Sequence, residues 1–104
     1  MATSVNLVTI TTQPIFTSVV NTAITFMSFC NHSATPVTIN MYVVPAGETV
    51  SNSCLVYSLL QIPPYDTYQI YVGNEKLILA PGDMIYSDAD IDSVVNVVTS
   101  YTSV

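Results

Sequence analysis

The sequence predicts an all-β chain: a single-domain β-sandwich of the jelly-roll kind, built from about seven or eight short antiparallel strands. Three observations carry this. Hydrophobicity alternates with period two through nearly every apolar segment, no segment holds helical periodicity for three turns, and Pro/Gly turns recur about every ten residues. With 104 residues the chain fits one domain and can bury a real core.

The elements follow in order. Residues 3 to 22, TSVNLVTITTQPIFTSVVNT, carry no charge and consist largely of Thr, Val, Ser and Ile. That composition suits either an extended N-terminal arm over residues 1 to 22, able to add as a strand to a sheet edge, or the first strands of the sandwich whose main body is 23 to 104. AITFMSFC, residues 23 to 30, is apolar on both faces and reads as a central strand covered on both sides. NHSATP is a cluster of turn formers. In VTINMYVV, Val37, Ile39, Met41 and Val43 share one face while Thr38, Asn40 and Tyr42 share the other, the pattern of a strand with one face in the core. Further strands are expected at 55 to 62, 67 to 72, 76 to 79, 84 to 86 and 94 to 101, with SCLVYSLLQ as the best helix alternative.

The turns agree. VPAGET, IPPYDT and APGDM each place proline first and an acidic residue shortly after, and Pro81-Gly82 suits a type II turn whose third residue needs positive φ. VGNE, residues 72 to 75, reads as a hairpin turn. VVPAGET and ILAPGDM echo each other as repeated turn chemistry.

Charge limits the partners. Only 8% of residues are charged, the single basic side chain is Lys76, and the formal net charge is −6. Such a chain cannot neutralise a row of phosphates, so nucleic acid and anionic membrane surfaces are excluded as electrostatic partners. No apolar run approaches the length that crosses a bilayer, and the N-terminus lacks a basic segment followed by an apolar core, so a soluble chain without an export signal is expected.

Four of the seven acidic residues lie in PGDMIYSDADID. Asp88, Asp90 and Asp92 match the alternate-position opening of a calcium loop and are the candidates for a metal. Counted from Asp88, however, the sixth position is Ser93 where the bend requires glycine, and the twelfth is Thr99 where a bidentate glutamate belongs. The expected reading is therefore a solvated acidic connection between two strands, with no metal or other cofactor. Cys30 and Cys54 read as free thiols, and Cys30, His32 and Cys54 fit no common zinc spacing. One histidine, one lysine and no arginine leave little acid–base chemistry, and no glycine-rich phosphate loop is present, so no enzyme is expected.

Seven tyrosines are too many for the core of so small a sandwich, and tyrosine is favoured at interfaces. Tyr42, Tyr57, Tyr65, Tyr68 and Tyr71 are interface candidates, joined by Val8, Ile10, Ile15 and Phe16 of the N-terminal segment. Cross-strand packing on a sheet face is the alternative for the tyrosines, and a sugar platform a third.

The order of these segments resembles that of small virion proteins of tailed bacteriophages. In that class an Asn-rich turn leads to a VT-x-N-x-Y-V-V-P strand, here VTINMYVVP. A later I-P-x-x-D-T-Y, here IPPYDTY, leads to K-L-x-L-x-x-G-D, here KLILAPGD, and the chain closes on a strand like VNVVTSY. The resemblance covers about residues 23 to 101, and the acidic SDADID departs from the small-residue loop common there. It implies a virion-located sandwich made in the bacterial cytoplasm, whose partners are other copies of itself and the major capsid protein or other virion proteins. The role implied first is that of a capsid decoration (cement) protein. A tail, neck or adhesin accessory is the alternative within the particle, and a carbohydrate-binding module the alternative from another class.

Overall fold

The computed structural model describes residues 2–70 and 77–104. The described residues form nine strands: β1 (Ala2–Val8), β2 (Gln13–Thr17), β3 (Thr22–Asn31), β4 (Val37–Val44), β5 (Leu55–Ile62), β6 (Thr67–Ile70), β7 (Leu77–Leu79), β8 (Met84–Ala89) and β9 (Val95–Ser103). All pairings are antiparallel. The first sheet has the order β1-β9-β3-β6, with β7 also on β3, and the second has β2-β8-β4-β5. β6 pairs with Met27 to Cys30 and β7 with Thr22 to Ile24, so the two form one edge in two pieces. Counted that way, eight strand lines form two four-stranded sheets in jelly-roll order, as the sequence predicts, successive lines switching sheet except at the β4–β5 pair.

The core is the apolar face of each strand. Ile24, Met27 and Phe29 of β3, Val37, Ile39 and Met41 of β4, Ile85 of β8 and Val95 and Val97 of β9 are all buried. Alternate residues on β4 face in and out as its sequence pattern requires. Two edge-to-face aromatic pairs close the sides between the sheets. Phe16 meets Tyr101 at 4.8 Å between centroids on one side, and Tyr57 meets Tyr68 at 5.6 Å on the other.

Three turns share one frame. In 45–48, 63–66 and 80–83 the fourth residue's N–H donates to the first residue's carbonyl at 3.1, 3.2 and 3.1 Å. Their third residues, Gly47, Tyr65 and Gly82, have φ of 81°, 54° and 89°. The two turns that echo each other in sequence pack together: Asp83 accepts the Ala46 N–H at 3.0 Å and the Ala80 N–H at 2.9 Å. A Cβ on Gly82 would stand 2.9 Å from that of Ala46, whereas one on Gly47 would meet nothing within 4 Å.

Several expectations change. Residues 2 to 17 supply β1 and β2, one outer strand to each sheet. The segment that offered the helix alternative holds a three-residue 3-10 turn, Asn52–Cys54, and then β5. The segment forms a strand because Tyr57 and Leu60 pack against the core, and tertiary packing overrides local propensity. β8 extends to Ala89, so Asp88 belongs to a strand rather than a connection. β3 is central, but only one of its apolar faces is covered: Phe26, Ser28 and Cys30 on the other face stay half-buried. The proposed VGNE hairpin, with Lys76 beside it, lies outside the described residues.

Candidate functional site

The acidic stretch is disassembled by the fold. Asp88 stands on the outward face of β8, where Thr12 Oγ1 donates to Oδ2 at 2.6 Å, Asn40 Nδ2 to Oδ1 at 2.7 Å and Tyr42 OH to Oδ2 at 3.3 Å. Asn40 in turn accepts the Leu59 N–H at 2.8 Å, which holds a bulge of β5 where Leu59 has φ 54°. Asp90 accepts the Thr38 N–H at 2.9 Å, and Asp92 accepts the Ile10 N–H at 3.2 Å. Each carboxylate has a different donor, and the solvated reading is corrected for Asp88, which is part-buried on a strand, while Asp90 and Asp92 stand exposed in the connection after β8. Among the described residues no group of three or more His, Cys, Asp or Glu side chains is placed to hold a metal.

Tyr42 is the one described group with a resolved perturbation. Burial first, then the negative charge of Asp88 and the hydrogen bond to it, push its hydroxyl above the ordinary tyrosine value. The phenol therefore remains a donor to Asp88, and the network closes on itself.

Two shallow depressions mark the surface. One of about 280 Å³ runs between β1 and β2, lined by Ser4, Asn6, Ile15, Phe16 and Tyr101 among others, and Asn6 Nδ2 bridges it to the Ile15 carbonyl at 2.8 Å. The other, about 170 Å³, lies beside Tyr42 between Thr12 and residues 50 to 52. Neither gathers titratable groups suited to catalysis.

The interface candidates divide. Val8, Ile15 and Phe16 are core residues, 1%, 3% and 8% exposed, because β1 and β2 bring them between the sheets. Tyr57 and Tyr68 pack on each other across the sandwich and against the core. Tyr42 is half-buried in the Asp88 network, Tyr71 lies outside the described residues, and Tyr65 and Ile10 are 72% and 62% exposed. Cys30 and Cys54 are free, the first on β3 and the second in the 3-10 turn before β5.

What remains free is a face rather than a pocket. The register puts Leu7, Asn96, Cys30 and Thr67 in one outward row of the first sheet, and Val5, Val98, Ser28 and Gln69 in the next. Thr3, Ser100 and Phe26 follow, then Thr102, Ala23 and Ile78. Among the described residues this face holds no charged side chain. β1 is inverted relative to an ordinary outer strand: Ser4 and Asn6 turn inward while Val5 and Leu7 face solvent, 69% and 50% exposed. Composition alone could not reveal this, because the strand is uncharged whichever face it presents.

Comparison with protein-family models, curated proteins and solved structures gives no match to this chain.

Proposed function

We propose that the chain is a non-enzymatic structural protein of a tailed-bacteriophage particle, and specifically a decoration protein that binds and stabilises the head shell. The observation that carries this reading is the outer face of the first sheet, which holds no charged side chain among its described residues and sets apolar Val5, Leu7, Phe26, Val98 and Ile78 among hydroxyl and amide side chains. On a free protein such a face promotes association, and on a particle that association is the function. The order of strand and turn motifs from VTINMYVVP to VNVVTSY supplies the particle, and a rigid jelly roll supplies a surface that docks without rearranging. A tail or neck position would use the same face and differs in number.

Copies per purified particle test the reading. On the order of hundreds are expected for a shell protein, tens at most would place it on the tail, and none would remove it from the virion.

A further inference from the structure

Two open sheets have four outer edges: the β6/β7 edge runs through residues outside the described ones, and of the other three two are blunted. β2 carries Pro14 and a register shift between Pro14 and Phe16. β5 is broken by two register shifts and by Leu59 at φ 54°. Proline, bulges and shortness are the devices by which proteins keep sheet edges from pairing. β1 has none of them. Its seven residues, ATSVNLV, pair with β9 in unbroken register from Ala2↔Tyr101 to Val8↔Val95, and contain no proline, glycine or charge.

We propose that β1 is the site at which two copies of this chain join, antiparallel about a twofold axis, so that their first sheets become one continuous sheet. The charge distribution selects a second copy as the occupant. At a net charge of −6 most approaches of two copies set like charges together, which opposes pairing. Across β1 and the outward rows beside it no like charges meet, because the described residues there carry none. An isologous contact also requires a strand complementary to itself, and a regular uncharged strand meets that condition through its main chain alone. The Val5–Val98 and Leu7–Asn96 rows then continue across the axis, so the exposed apolar side chains of the two copies lie together on one face. The free N–H and C=O groups along the outer side of β1 gain partners at the same time.

The pairing shares with the proposed function only the expectation that copies associate, and its test needs no particle. Sedimentation equilibrium of the full chain, from micromolar to near-millimolar concentration, should show a dimer. Val5→Lys should be monomeric, with an unfolding midpoint equal to that of the wild type at a concentration low enough for both to be monomers, since Val5 is already 69% exposed. Ile78→Lys, on the opposite edge of the same sheet and 60% exposed, should remain dimeric. A wild-type chain that stays monomeric throughout, a dimeric Val5→Lys, or equal dissociation by both lysines would overturn the proposal. Should Val5→Lys lower the unfolding midpoint, single cysteines at Thr3, Val5 and Leu7 decide the matter in a chain carrying Cys30→Ser and Cys54→Ser. An antiparallel twofold favours self-crosslinking at the position nearest the axis, and crosslinking that is absent or equal at all three overturns it. A monomeric chain found on particles would refute the pairing while leaving the virion reading standing.

Discussion

The ends of the sandwich and its first sheet's outer face are built by opposite rules. At one end Asn31, fully buried, donates through Nδ2 to the carbonyls of Thr35, Ile62 and Pro63 at 2.9, 3.2 and 3.2 Å. Its Oδ1 accepts from Ser33 N–H at 3.0 Å and Ser33 Oγ at 2.7 Å. At the other end Asp83 joins two turns, while the Gly82 N–H donates to the Ser18 carbonyl at 2.7 Å. The outer face, by contrast, holds no charge among its described residues, and its backbone needs are met by strand pairing. Polar side chains are concentrated where the chain leaves the ladder and orphaned backbone groups need partners. Stability is placed at the ends and in the core, which leaves the face available for contact.

Asn31→Ala offers the sharpest way to break that division. It strips a partner from one buried and two part-buried carbonyls and from the Ser33 loop, and should cost on the order of 3 kcal/mol in a denaturant titration. A loss within the range of surface substitutions would show that this end is not held by its amide. Asp88→Ala should cost about 2 kcal/mol by leaving Thr12 and Asn40 without their acceptor, whereas Asp92→Ala, with one exposed bond, should cost less than about 0.5 kcal/mol. Equal effects would restore the solvated reading of the stretch.

Much of this fold is legible in the sequence, and the losses have physical causes. The period of β4 and the proline turns give the sandwich directly. β8 hides its length because its inward positions beyond Ile85 are Ser87 and Ala89, small residues that look like turn composition although both are buried. By sequence alone Asp88 therefore reads as part of a connection. Asn31 reads as one more turn former in NHSATP, since nothing local distinguishes a solvated amide from a buried one. The inversion of β1 depends on its register with β9, a property of the pairing rather than of the strand.

Smaller effects sharpen the comparison. Gly47→Ala and Gly82→Ala both impose a side chain on positive φ, at about 1 kcal/mol each. Only Gly82→Ala also meets Ala46 at 2.9 Å, so its loss in a thermal melt should exceed that of Gly47→Ala by a further ~1 kcal/mol or so. The smallest effect is alkaline. Because the folded chain raises the Tyr42 value, the unfolded chain releases that proton first. The contribution is intact below about pH 10 and is lost as pH rises through the folded value. Tyr42→Phe should flatten that alkaline decline, as read from unfolding midpoints across the range, and an unchanged slope would show that the Asp88 contact does not govern the phenol.

Hydrogen exchange of the full chain at low and high protein concentration tests most directly whether the ends hold the fold while the face and its edge make contacts. Amides of residues 3 to 7 that point away from β9 should gain protection as concentration rises, while those of Asn31, Asp66, Gly82 and Asp83, bonded within the chain, should be protected equally at both. Amides of β1 that exchange alike at every concentration, or end amides whose protection rises together with them, would contradict it.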